Sequence, residues 1–261
     1  MTSATTNGMR QLLVGSVFGP TVRNKVWLKL QSRFLKMTTD SFDYVAYLNN
    51  ADRDLFSEVK VIGYSTAGWE GDRHPHANAL NKILSYFRKH PYRYYLILDS
   101  DCFPVTRGWI NMLTSQMEVG GWKIAAPIRT ENLDLFPHPC AFFIKGEAIH
   151  DPAIDFKPKS IKNLLGFGAY DPGTAIPLGK CFPLLRSNLY NPHPLFAGIY
   201  HHLFYHHACG SRVPHSRVLR SGYLHYIIPQ TSHARIEKEL YSRLIRNPSR
   251  FIRDLMQPRK K

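Results

Sequence analysis

The first hundred residues alternate short apolar runs with stretches of helical period, and this alternation restricts the fold more than any other feature of the chain. "QLLVGSVF" (11–18) and "DYVAYLN" (43–49) are short, β-branched or aromatic, and bounded by Gly, Pro, Asn and Asp, which predicts strands. Between them, "NKVWLKLQSRFLKM" (24–37) repeats its apolar residues every three or four positions, as a helix does. A strand "VKVIGYS" (59–65) follows, then a helix "HANALNKILSYFRKH" (76–90) with Ala77, Leu80, Ile83, Leu84 and Phe87 on one stripe. The apolar run opening "YYLILDSDCFP" (94–104) completes the order βαββαβ. Strands joined through helices pair in parallel, so the expectation is an α/β chain whose sheet is covered by helices.

That last run stops at two acids, Asp99 and Asp101. Carboxylates at the end of an apolar strand lose hydration that apolar neighbours cannot replace. In the order βαββαβ the pair falls at the carboxyl edge of the sheet, where open α/β sheets hold their ligands. Two carboxylates at i and i+2 converge where the chain leaves the pleat, and their hard oxygens suit Mg²⁺ or Mn²⁺, which keep positions open for phosphate oxygens. Turn and cap chemistry also produces D-x-D, so the motif alone admits both readings.

Charge narrows the partner. With 34 Lys and Arg against 19 Asp and Glu, the formal charge is +15, which points to an anionic substrate or surface. Nucleotide phosphates, acidic lipid headgroups and nucleic acid all qualify. Nucleic acid is disfavoured, because the aromatic residues spread along apolar segments and no RRM, KH or helix-turn-helix pattern occurs. Cys102, Cys140, Cys181 and Cys209 form no C-x-x-C pair, so reduced structural thiols are expected in place of a zinc or redox site. The start of the chain lacks a signal-peptide pattern and no run of apolar residues is long enough to span a bilayer, which reads as a cytoplasmic protein.

Beyond residue 104, "WINMLTSQM" is helical, "KIAAPI" and "CAFFIKG" read as strands, and 150–200 is rich in Pro and Gly. The end, "HARIEKELYSRLIRNPSRFIRDLMQPRKK", is a basic amphipathic helix or a helix pair interrupted near Pro248. Its basic face is either solvated or turned to an anionic membrane. The organisation expected is one domain over 1–261: a nucleotide-binding half (1–104), an acceptor and metal half (105–232) and a basic helical tail (233–261).

The helix "ANALNKI" (77–83) leading into a strand that ends D-S-D resembles the GT-A glycosyltransferases, especially family 2-like members. Their pattern runs from an A-R-N-x-G-like helix into a strand ending D-x-D; here Leu80 and Ile83 stand in place of the Arg and Gly. The resemblance implies a Rossmann-like open mixed sheet flanked by helices. It also implies a Mn²⁺ or Mg²⁺ ion, a nucleotide-sugar donor (UDP- or GDP-, with UDP favoured), and a hydroxyl acceptor that is a glycan, lipid-linked or of another kind. Asp101 would bind the metal, and Asp99 would share it or hold ribose and sugar hydroxyls. Asn81 would face the diphosphate and Asn49 the base.

In "FYHHACGSR" (204–212), His206 is the closest match to the metal-completing histidine of related transferases, with His207 next and His225 a further candidate; Ser211 and Arg212 would meet the diphosphate. In "LLGFGAYDPGTAIPLGK" (164–180), Asp171 would be the catalytic base of an inverting reaction. The same Asp171, ahead of Pro172, equally fits the N-cap of a helix. Two rivals remain: a nucleotidyltransferase, whose G-x-G-x-R loop is met only loosely by "GSVFGPTVRN" (15–24), and a basic nucleic-acid-binding protein.

Overall fold

The computed structural model describes residues 10–66, 74–132, 134–162, 168–169, 171–188, 192–208 and 230–257. Its first half follows the expected alternation: β1 (Arg10–Phe18), α1 (Asn24–Thr38), β2 (Asp43–Asn49), β3 (Lys60–Ser65), α2 (Pro75–Phe87) and β4 (Tyr92–Asp99). There follow β5 (Cys102–Pro104), α3 (Trp109–Val119), β6 (Ile124–Pro127), β7 (Ala141–Lys145), β8 (Ile161–Lys162), β9 (Gly168–Ala169), β10 (Cys181–Leu184), β11 (Gly198–Tyr200) and β12 (Phe204–His206). Two helices, α4 (Gln230–Arg246) and α5 (Pro248–Met256), complete the described chain.

Seven strands form one sheet in the order β10-β6-β7-β4-β1-β2-β3. β1 pairs in parallel with β2 on one side and β4 on the other, while β7 runs antiparallel to β4 and β6, so the sheet is mixed. The chain winds from β1 towards β3 and then restarts at β4 on the opposite side of β1. The carboxyl ends of β1 and β4 therefore flank a topological switch point, with Val17 in register with Asp99. This α/β, Rossmann-like open mixed sheet with flanking helices is the fold class read from the sequence.

The alternation within β1 sends its side chains to two faces. Leu13 and Val17 join Leu80, Ile83, Leu84 and Phe87 of α2 in one core, whereas Leu12 and Val14 join Leu35 of α1 and Trp109, Leu113 and Met117 of α3 in another. Each fully buried Leu, Ile or Phe contributes roughly 2 kcal/mol of apolar burial. Gly15 makes the approach of α2 possible, because a Cβ there would stand 2.5 Å from Ile83 Cγ2 and 2.9 Å from Phe87 Cζ. α2 ends at Phe87, three residues before the expected limit at His90. Pro91 disfavours helical backbone in the residue before it, and Arg88 instead donates from Nε to the Ile149 carbonyl.

A second, three-stranded sheet, β11-β12-β5, is antiparallel and sets His206 opposite Cys102. The C-terminal helices pack on the α1 side, where Leu240, Leu244, Phe251, Ile252 and Leu255 meet Trp27, Leu30 and Phe34. As expected, they break at Pro248, the first residue of α5, and Asn247 caps α5 by accepting from the Arg250 N–H. Residue 172 does not begin a helix. Gly173 takes a φ of +100°, which ends any helical run, and Thr174 donates from N and Oγ1 to the Asp171 carbonyl in a turn. Cys102, Cys140 and Cys181 are buried free thiols; Cys209 lies outside the described residues. Among the described residues, no helix is long and apolar enough to cross a membrane.

Candidate active site

The two aspartates are presented by a turn that α1 clamps. Gln31, fully buried in α1, donates from Nε2 to the carbonyls of Asp99 (2.6 Å) and Cys102 (2.8 Å). Its Oε1 accepts from Ser16 Oγ (3.1 Å) and Tyr44 OH (2.6 Å), so β1 and β2 hold the clamp in turn. The Asp99 N–H donates to the Cys140 carbonyl (3.0 Å), and the His207 N–H donates to the Asp101 carbonyl (3.1 Å). A buried backbone with its polar groups met in this way has little freedom to move.

On this backbone, Asp99, Asp101 and His206 each offer one ligand atom within 4.8 Å of the others. His206 Nε2 lies 3.6 Å from Asp101 Oδ1 and 3.8 Å from Asp99 Oδ2. Asp101 and His206 are buried, while Asp99 borders solvent at 17% side-chain exposure. Burial opposes charge on His206, but the Cys140 thiol and the carboxylates of Asp101 and Asp99 outweigh it and raise the imidazole to about 9. Burial likewise favours the neutral acid at Asp99, yet His76, with His138 and His206 behind it, holds that carboxyl far below the usual carboxylate range. His76 Nε2 stands 3.2 Å from Asp99 Oδ1, and still this buried oxygen receives no hydrogen bond. Two carboxylates and one imidazole converging in this way are a donor set that fits a divalent cation of the Mn²⁺ or Mg²⁺ kind.

Other expected residues fall in different places. His207 points away from the triad: its Nδ1 is 2.6 Å from Tyr205 OH and its Nε2 is 3.1 Å from Glu237 Oε1, which engages both ring nitrogens. Asn81 directs its amide to Asp155 Oδ1 (2.8 Å) and accepts from the Phe156 N–H (3.1 Å), tying α2 to the segment after β7. Asn49 is buried at the carboxyl end of β2, on the same sheet edge as Asp99. Ser211, Arg212 and His225 lie outside the described residues.

Asp171 stands one imidazole away from the triad. Its Oδ1 is 3.8 Å from His138 Nε2, whose ring centroid is 5.9 Å from that of His206, and its Oδ2 is 4.0 Å from Arg129. Its side chain does not cap a helix.

Sequence reasoning missed Gln31, His76, His138 and Arg129. The only signal for Gln31 was a polar residue on the apolar stripe of α1. The others come from segments far from Asp99 in the chain, so only tertiary structure unites them.

No family model matches the sequence, and no curated protein matches it. Among solved structures, the chain is similar to residues 1–349 of S. aureus TarS in complex with UDP-GlcNAc, with TM-score 0.38 and 9% identity over 56% of this chain and 48% of that one. It is also similar to a second S. aureus TarS structure, with TM-score 0.39 and 10% identity over 56% and 30% of the two chains. The third is A197 from STIV, with TM-score 0.38 and 14% identity over 67% and 82%. The chain thus spans about half the length of the first TarS chain and under a third of the second.

Proposed function

We propose that the protein is a metal-dependent glycosyltransferase that moves a sugar from a nucleotide-diphosphate donor, UDP-sugar favoured, to a hydroxyl of a glycan, lipid-linked or other acceptor. One observation carries this reading: a buried Asp-x-Asp and His206 converge at the carboxyl edge of a Rossmann-like sheet, beside its switch point. In this arrangement Asn49, at the end of β2, faces the nucleoside. Asp101 and His206 hold the cation, and Asp99, nearer solvent, shares it and accepts from ribose or sugar hydroxyls. A bound divalent cation stabilises the charge that builds on the departing diphosphate as the glycosidic bond breaks.

Asp171 is the carboxylate best placed to take the acceptor proton, since it is one-third exposed and close to the triad. The other acids nearby are more buried and more closely held: Asp134 pairs with Arg129 at 2.5 Å and Glu131 accepts from Tyr200 OH at 2.6 Å, whereas the partners of Asp171 stand 3.8 Å and 4.0 Å away. A base acting on the face opposite the leaving group inverts the anomeric centre. A thermal-shift comparison of UDP, GDP and CMP, each with and without Mn²⁺, tests the donor class, because a ligand bound only by the native state raises its apparent stability. UDP stabilising the fold only with Mn²⁺ supports the reading; three nucleotides without effect contradict it.

The basic tail also supports peripheral contact with an anionic membrane. The outward face of α1 carries Lys25, Lys29, Arg33 and Lys36, and Arg33 donates to Ser249 Oγ (3.2 Å), which joins this row to the exposed Arg250 and Arg253 of α5. Co-sedimentation with anionic but not neutral vesicles at low salt tests this surface; equal partition to both contradicts it.

A further inference from the structure

Within the candidate site, the carboxylate of Asp99 is held differently from its backbone. Its N–H and carbonyl are fixed by Cys140 and Gln31, whereas its Oδ1 has no hydrogen-bond partner. On Oδ2 the neighbour is His206, at 3.8 Å; on Oδ1 it is His76, at 3.2 Å. His76 is therefore the nearest charged or polar group known to face this carboxylate, and it belongs to none of the three ligands that converge.

Its own position is rigid. His76 lies in the first turn of α2, directly after Pro75, whose fixed φ suits the start of a helix. The rest of α2 is locked onto β1 by the contact of Ile83 and Phe87 with Gly15, where not even a methyl group would fit. A ring carried on so constrained a helix is a fixed wall for the Asp99 side chain. Its Nε2 already stands 3.2 Å from Oδ1, within the reach of an N–H···O contact.

We infer that His76 is a positioning residue for the cation site: it holds the Asp99 carboxylate in the rotamer that turns Oδ2 towards Asp101 and His206. Groups that orient a ligating carboxylate tune affinity without touching the ion, and their loss costs about 10–100-fold in metal affinity. This inference rests on the metal reading proposed above, so its test measures metal binding and needs no turnover.

Mn²⁺ is titrated into the full chain by calorimetry or by loss of the free-ion electron paramagnetic resonance signal, for wild type, His76→Ala, His76→Phe, His76→Gln and Asp101→Asn. His76→Phe keeps the bulk of the ring and removes its nitrogens; His76→Gln keeps an N–H donor at a similar reach. The expected result is a Kd for Mn²⁺ raised about 10-fold or more in His76→Ala and His76→Phe, recovery to near wild type in His76→Gln, and an unchanged melting temperature in His76→Gln. Should His76→Ala fail to fold, the Phe and Gln variants carry the same comparison. Loss of Mn²⁺ binding in Asp101→Asn with wild-type affinity in His76→Phe overturns the role of His76 and leaves the metal site standing. Wild-type affinity in Asp101→Asn overturns the metal reading and this inference with it.

Discussion

Gln31 shows how one polar residue in an apolar stripe shapes a site. It sits among Trp27, Leu30, Phe34 and Leu35 on the buried face of α1, and its amide bonds both ends of the Asp99–Cys102 turn. Its partner Asp99 lies 68 residues away, so no local pattern exposes the role. The aspartates themselves were legible, because acids that end an apolar strand require compensation. His206 and His207 were not separable by sequence. Adjacent residues at a strand end point to opposite faces, and only the fold tells which face holds the acids.

Asp171 is the residue-scale test of the chemistry. With no helix for it to cap, a silent Asp→Asn exchange of cap residues no longer competes as an explanation. Asp171→Asn is expected to lower kcat by roughly 10² or more at saturating donor and metal, with donor affinity unchanged, as loss of a general base does. Near-normal turnover in steady-state assays would place the base elsewhere.

At the scale of elements, α4 is bound to the site's scaffold through one carboxylate. Glu237 pairs with Arg23, which precedes α1, and with His207 Nε2 at 3.1 Å, directly behind the strand end that carries His206. Arg23 also lies over the ring of Tyr241, at 4.1 Å from its centroid. Burial alone would raise the Glu237 carboxyl, but His207 and Arg23 outweigh it and hold the group below its ordinary 4.5. A carboxyl lowered in the folded state contributes stability above its unfolded value, and that contribution is lost as pH falls through the folded value. Glu237→Gln is therefore expected to destabilise the protein at pH 7 and to flatten the loss of stability as pH falls through and below the carboxyl's ordinary 4.5. Denaturant melts across that range measure both effects; superimposable wild-type and variant pH profiles would contradict the linkage. The helix pair and its break at Pro248 were legible from apolar period and proline. The turn at Asp171 was not, because Asp-Pro opens a helix or a turn alike and Gly173 decides between them.

At the scale of the whole molecule, the order βαββαβ was enough to place Asp99 at a carboxyl edge, since parallel pairing and short connections leave few arrangements. The switch point between β1 and β4 was not legible, because the order of elements does not say on which side of β1 the fourth strand adds. The helix α3 and the strands β6 and β7 were also legible, but the second sheet was not, because β5, β11 and β12 have three residues each, too few for a period of two to register. Those three strands bring His206 to the aspartates, so the proposed ligand set depends on the least legible part of the chain. The most direct test of its function is a calorimetric titration of UDP into wild type and Asp101→Asn, in Mn²⁺ and in EDTA, with circular dichroism confirming that the buried exchange leaves the fold intact. UDP should bind wild type only with Mn²⁺ and should bind Asp101→Asn in neither condition; equal affinity with and without the ion, or undiminished Mn²⁺-dependent affinity in the variant, would contradict a cation-held nucleotide diphosphate at this edge.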